Sequence, residues 1–435
     1  MLRLARNGKL GIFIALVMAA SMWFYVQRVM IGHQLDLAAR RGIPRGNLSD
    51  LYPRWLGARE LLLHHRDPYS TDVTREIQAG YYGRPLDAGR PNDPKDQAAF
   101  AYPVYVAFLL APTLGLPFEI VRLGFGWFLV ILTGVSVWLW FGILNWRAKP
   151  TVVTIAICLT LGSFQVIQGI KLQQLSLLVA GLIAVSAWLV AEDRFTLAGA
   201  LLGLATIKPQ LVLPFLAWLM IWAAGDWARR KKLILAFGVT MILLLAASEI
   251  ILPGWFRRFL DAVSAYRAYN AGAESILSTF LSSRLGGALT WLILLALAAF
   301  AWRIRRAEAN HAEFRFMTVL VLSVTLLIIP TASPYNQVLL LPGILFAAQH
   351  WQAFYQKSRF SRTAMFTTIA IVAWPWLAAI GLTVASLVLP AESVQREWAW
   401  PIYTNLAIPL GVVTLLASGV GEFTSQVAHK QPVLA

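Results

Sequence analysis

The chain alternates between long apolar runs and short polar breaks. Runs at about 10–31, 121–145, 151–168, 174–191, 195–206, 209–224, 233–252, 285–302, 315–331, 335–349, 364–389 and 402–419 read as helices, many of them long enough to cross a hydrocarbon layer. The first run continues past Ala19-Ala20-Ser21, beyond the length of a signal-peptide core. The stretch 32–99 is the longest polar one. Within it Leu51, Trp55, Ala58 and Leu62 recur at helical spacing, which predicts a short amphipathic helix lying on a membrane surface. The Pro-, Gly- and Asp-rich 87–97 reads as an exposed loop. Apolar 100–120 is broken by Pro103, Pro112, Gly115 and Pro117, and is expected to dip into the membrane and return, shielded by protein.

Composition strengthens this reading. Only 13% of the 435 residues are charged and 58% are hydrophobic, against about a quarter charged in a soluble domain. The expected architecture is an all-α polytopic membrane protein: one membrane domain over 1–435, with a first transmembrane helix at 10–31, an outer loop with amphipathic and re-entrant helices at 32–120, and a helical bundle at 121–420. The single Cys158 rules out an intrachain disulfide. The net charge of +16 punctuates apolar spans and forms no continuous basic domain, so the partners it implies are anionic headgroups and phosphate-bearing lipids, and no nucleic acid. Basic connectors at Arg147/Lys149, Arg229–Lys232, Arg303–Arg306 and Lys357–Arg362 place those corners and both termini in the cytoplasm. Alternation then puts 32–99, 169–173, 253–284, 332–334, 390–401 and the Lys208-Pro209 break on the outer face, with about twelve crossings in all.

The outer breaks carry the candidate chemistry. Asp50, beside Tyr52, Arg54 and Trp55, is placed to accept a proton from an alcohol; it, or Ser49, is equally suited to cap the following helix. Arg66-Asp67-Pro68-Tyr69 reads first as a turn. Gln165, Gln168, Lys171, Gln173 and Gln174 crowd one break between spans, and suit either a polar hairpin or a pocket for sugar hydroxyls or a phosphate. Lys208 is a lone cation in an apolar stretch, and Gly199 and Gly203 just before it suit close helix packing. Thr331–Gln337, with Tyr335, Asn336 and Gln337, is a polar cluster that either caps a helix or lines the same cavity. Arg257, Arg258 and Arg267, with Tyr266 and Tyr269, suit contact with lipid headgroups or a lipid phosphate. No phosphate-cradling loop, dinucleotide-type glycine pattern or HExxH metal motif occurs.

Taken together, Asp50-Leu-Tyr-Pro-Arg-Trp, Asp67-Pro68-Tyr69, Phe100-Ala-Tyr102-Pro103, Gln168-Gly-Ile-Lys171-Leu-Gln173-Gln174, Gly199…Gly203…Lys208-Pro209 and Ser333-Pro334-Tyr335 resemble the integral-membrane glycosyltransferases of the GT-C fold. Within them the chain is most similar to glycosyltransferase family 87, which includes polyprenyl-phosphate-mannose-dependent mannosyltransferases. The resemblance implies a GT-C-type bundle in a bacterial inner membrane, with its active site on the periplasmic side. It implies Asp50 as general base, a polyprenyl-phosphate sugar donor (mannose first) and a glycolipid or glycan acceptor. Lys171, Lys208 and Arg267 would bind the donor phosphate. Tyr52, Arg54, Asp67, Tyr102, Gln168, Gln173, Gln174, Tyr335, Asn336 and Gln337 would contact sugar or acceptor. With no acid pair at 165–174, no metal cofactor is expected. Val104 stands where relatives often have a second proline, and Asn336-Gln337 where the serine-proline segment often leads to a histidine. The rival class is a transporter or flippase for lipid-linked sugars, although no internal repeat is visible; a third reading is an assembly or scaffold subunit.

Overall fold

A computed structural model describes residues 8–43, 49–269, 274–330 and 332–424; Asn47, Leu48 and Thr331, at the edges of the polar stretches, lie outside them. Among the described residues every regular element is helical. The principal helices are α1 (Gly8–Arg40, with a π-helical segment at Tyr25–Met30), α2 (Leu51–His64), α3 (Thr71–Tyr82), α4 (Phe118–Ile143), α5 (Pro150–Leu161), α6 (Phe164–Lys171), α7 (Leu175–Ala191) and α8 (Phe195–Ala205). They continue with α9 (Pro209–Gly225), α10 (Trp227–Ile251), α11 (Trp255–Tyr269), α12 (Ser283–Ile304), α13 (Ala312–Ile328), α14 (Arg359–Ala385) and α15 (Ala407–Thr424). Six helices are long and apolar enough to cross a membrane, or seven if the bent α5–α6 pair is one span. Helices α7, α8 and α9 are apolar but shorter. The outward faces are apolar as well: Trp127, Ile131 and Trp138 on α4, Ile242 and Leu243 on α10, and Trp291 and Leu295 on α12 are all exposed. Such surfaces are stable only against lipid.

The chain shuttles between two ends. At one, the Leu144 carbonyl accepts from Arg315 and Gln349, and Arg229 bonds both Asp193 and Glu308. This gathers the corners near 145, 193, 229, 308 and 349, including two of the basic connectors. Arg230, within the basic run 229–232, is only 1% exposed. It lies 3.8 Å over the Trp222 ring and donates to the carbonyls of Trp222, Arg305 and Ala307. These are carbonyls at the ends of α9 and α12, left without partners when a helix stops.

The other end holds the breaks at 50, 172–174, 208 and 336. Sharp turns bring them together. The α5–α6 bend is 57°, with Ser163 capping α6 through the Val166 N–H. At the bend Gly162 meets α1 so closely that a Cβ would stand 2.3 Å from Ala19 Cβ. Helix α2 forms where expected but does not lie on a surface: Leu51, Trp55, Ala58 and Leu61 are buried in the main core. The longest helix between Phe100 and Pro117 has five residues, Val106–Leu110, so this stretch does not cross; Phe100, Tyr102, Val104 and Tyr105 are buried in protein.

Close packing of α8 on α10 fixes where Lys208 emerges. A Cβ at Gly199 would lie 2.3 Å from the Leu233 carbonyl oxygen, and one at Gly203 would lie 2.7 Å from Thr240 Cγ2. Gly199→Ala is therefore expected to lower the unfolding temperature of detergent-solubilised protein, at a cost of about 1–3 kcal/mol. Gly238→Ala, inside α10 with nothing within 4 Å, is the matched substitution expected to hold or raise that temperature, since alanine favours a helix interior over glycine.

Candidate active site

The site is built around the residue before α2. The Asp50 backbone N–H donates to the Leu172 carbonyl at 2.8 Å, tying this residue to the end of α6. Ser49 Oγ accepts from the Leu51 N–H at 3.3 Å, and the Asp50 carboxylate makes no cap bond. The carboxylate is thus left to other partners. Its Oδ2 accepts from Gln174 Nε2, and its Oδ1 accepts from the Tyr81 hydroxyl at 3.3 Å. Burial pushes the Asp50 carboxyl above its usual range, against the opposing pull of Arg54, then Lys208.

Gln174 links that carboxylate to a cation. Lys208 Nζ, on a residue 7% exposed, donates to Gln174 Oε1 at 3.0 Å and to Ser176 Oγ at 2.7 Å. Ser176 in turn donates to Asn336 Oδ1 at 2.7 Å. The ammonium lies 5.2 Å from the Tyr335 ring and 5.9 Å from the Tyr102 ring. Among the described residues its hydrogen-bond partners are neutral, and the hydrogen-bonded path to Asp50 runs through the Gln174 amide. One turn after Asp50, the Arg54 guanidinium donates to the Asp50 carbonyl at 2.6 Å and lies 4.6 Å over the Tyr102 ring. Arg54 Nε is buried with no hydrogen-bond partner among the described residues. The charges here are mixed: Arg54 and Lys208 act on the Asp50 carboxylate, and the Asp96 carboxylate acts on both Asp50 and Arg54.

Of the residues marked in the sequence, Asp50, Arg54, Tyr102, Gln174, Lys208, Tyr335 and Asn336 converge. The rest do not join this set. Gln173 has a left-handed backbone (φ 48°), and its amide turns back to the Ile170 and Lys171 carbonyls to close α6. Lys171 reaches the opposite way, to Gln27 and over the Trp23 ring of α1. Gln168 is half-buried, its buried Oε1 without a partner among the described residues. Gln337 accepts from Gln165 and donates to Asn405, joining helices. Tyr52 packs between Trp55, Phe118 and Gly80. Asp67 makes the expected turn, accepting from the Tyr69 N–H at 2.9 Å, and also pairs with Arg258 at 3.3 Å. Both line a cavity of about 390 Å³ against α11, and Tyr69 donates to the Tyr102 carbonyl at 2.6 Å. Arg267 is exposed on α11, while its neighbour Tyr266 is half-buried, with burial pushing its hydroxyl above its usual range and Arg54 and Tyr102 among the groups that act on it.

Sequence reasoning missed two residues that the fold brings in, Tyr81 and Ser176, and gave Tyr266 no part in the site. Tyr81 carried no signal in the sequence. Ser176 stands two residues past the glutamine break and reads as an ordinary small helical residue. Tyr266 stood in the stretch noted for its aromatics, but the charge of Arg267 drew attention instead.

Among the described residues no group of three or more His, Cys, Asp or Glu is placed to hold a metal ion. Comparison with curated proteins and with solved structures gives no match. A family model does match: glycosyltransferase family 87, over residues 100–330. That stretch supplies Tyr102, Gln174, Ser176 and Lys208 to the cluster and ends just short of Tyr335 and Asn336. The match spans more than half of the 435 residues, and the chain belongs to glycosyltransferase family 87.

Proposed function

We propose that this glycosyltransferase moves a sugar, mannose first among candidates, from a polyprenyl monophosphate to a hydroxyl of a lipid or glycan, with inversion at the anomeric carbon. The observation that carries this reading is the buried Lys208, hydrogen-bonded to neutral groups alone and joined to a half-buried carboxylate by one amide. This ammonium makes no direct ion pair among the described residues, and a lipid phosphate arriving from the lipid phase would supply one.

In this mechanism the donor phosphate lies against Lys208 and Arg54, and the sugar lies along Tyr102. The acceptor oxygen attacks the anomeric carbon from the face opposite the phosphate. The bond from that carbon to the phosphate oxygen breaks, and the electron pair leaves on the phosphate. Asp50 takes the acceptor proton. The cations oppose the charge that grows on the leaving group, where fixed electrostatics contribute most. Burial that raises the Asp50 pKa makes it a stronger base. The breaks that meet at the site end are those assigned by alternation to the outer face. We place this end on the periplasmic face of a bacterial inner membrane, with both termini in the cytoplasm and about twelve crossings.

The test is reconstitution in liposomes with polyprenyl-phosphate mannose and a panel of hydroxyl acceptors. Release of polyprenyl phosphate, together with a glycosidic product of inverted anomeric configuration, is the expected result. Movement of intact lipid-linked sugar between leaflets with no glycoside formed would replace this reading with that of a flippase. Chelation by EDTA is expected to leave turnover unchanged; a loss restored by added divalent ion would overturn the metal-independent scheme.

A further inference from the structure

We propose that the acceptor binds in the cavity between the end of α1 and the end of α3, and that Tyr81 aligns its hydroxyl on Asp50. This rests on the transferase reading above and assigns the acceptor side of that site. The cavity measures about 270 Å³ and is lined by Gln34, Leu37, Arg41, Tyr81, Tyr82 and Pro94, among others. It lies below the roughly 300–1,000 Å³ of a pocket for a drug-sized ligand, so it suits a single ring.

Tyr81 joins the cavity to the chemistry. It is part of the cavity wall, and its hydroxyl is 3.3 Å from Asp50 Oδ1. The two carboxylate oxygens thus divide the surroundings. Oδ2 is turned through Gln174 to Lys208, where the phosphate would sit, and Oδ1 is turned to Tyr81, which forms part of the cavity wall. An inverting displacement needs this division, because nucleophile and leaving group act on opposite faces of one carbon.

The lining selects the class of acceptor. Tyr81 and Tyr82 meet edge to face, 4.8 Å between centroids, and the Tyr82 hydroxyl is held by the Asp96 carbonyl at 2.7 Å. Tyrosine rings offer apolar faces to the C–H side of a sugar, while Gln34 and Arg41 offer donors to its hydroxyls. Leu37 and Ile43 add an apolar margin at the end of a helix long and apolar enough to cross a membrane. A sugar ring on an alkyl chain matches this lining. Tyr81 acts through Asp50 and is therefore a positioning residue.

The experiment measures transfer from polyprenyl-phosphate mannose to a set of alkyl glycosides, including octyl α-mannoside and octyl β-glucoside, by wild-type protein, Tyr81→Phe, Gln34→Ala and Arg41→Ala. Gln34→Ala and Arg41→Ala are expected to raise the acceptor KM severalfold and leave the donor KM unchanged. Tyr81→Phe, which keeps the ring, is expected to lower kcat/KM for the acceptor about tenfold and to move the acid limb of its pH profile upward. The direction follows because the lost hydroxyl stabilised the carboxylate. A purely structural role for Tyr81 would leave that limb where it is. Unchanged acceptor KM in Gln34→Ala and Arg41→Ala together with an unmoved limb in Tyr81→Phe, or a rise in donor KM alone, overturns the acceptor assignment while wild-type transfer keeps the enzyme reading intact. Rejection of every alkyl glycoside by a wild-type protein that still releases polyprenyl phosphate overturns the class of acceptor. Absence of any release overturns both readings.

Discussion

Asp50→Asn is expected to insert and fold as wild type does and to lose transfer by at least about a hundredfold. The amide keeps the size of the carboxyl. The backbone tie from residue 50 to Leu172 is untouched, and Ser49, not Asp50, makes the cap bond to α2. Stability is therefore expected to change little, whereas the proton acceptor is gone. The wild-type acid limb of acceptor kcat/KM adds a second check. A base works deprotonated, so turnover falls as pH drops through its pKa. Burial raises that pKa, so the limb is expected above the ordinary aspartate value of about 3.9. Near-normal turnover by Asp50→Asn, with the size-exclusion profile of wild type, would remove Asp50 from its role.

Lys208→Met is expected to separate stability from activity. The methionine has a similar length without the charge. Methionine removes the desolvation cost of the ammonium, but it also leaves the buried Gln174 Oε1 without its donor and takes away a charge that favours the Asp50 carboxylate. These effects oppose one another, and the unfolding temperature is expected to change little. Transfer is expected to fall by about 10²–10³, the loss typical when one fixed group opposing transition-state charge is deleted. The acid limb should also move further up, since Lys208 lowers the Asp50 pKa. A variant that unfolds early, or one that turns over normally, would show that Lys208 serves architecture and not the phosphate.

Much of the candidate site was legible because charge is scarce in this chain. Against apolar runs, Asp50, Gln174, Lys208 and Asn336 stand out, and the alternation of spans predicted that their breaks would share one end. Which of two lone lysines turns inward was not legible. Lys171 ends α6 and Lys208 precedes α9, and the direction of each depends on the 57° bend and on the contact of α8 with α10. Tyr81 could not be found from sequence, since nothing in a polar helix marks the residue that will fold back 31 positions to Asp50. Arg230 was hidden for the opposite reason: its neighbours are as basic as it is, and only burial sets it apart. Similarly, Tyr266 and Arg267 are adjacent on α11, and a helix turns neighbours about 100° apart.

The short link from the Asp50 amide to Leu172 means that the proposed base has little play of its own and travels with the end of α6, the short arm of the bent α5–α6 pair. Bilayer thickness and lateral pressure act on the tilt of such helices. Lipid composition therefore becomes a dial on alignment, and turnover measured in micelles and in bilayers of graded chain length should differ even where binding does not.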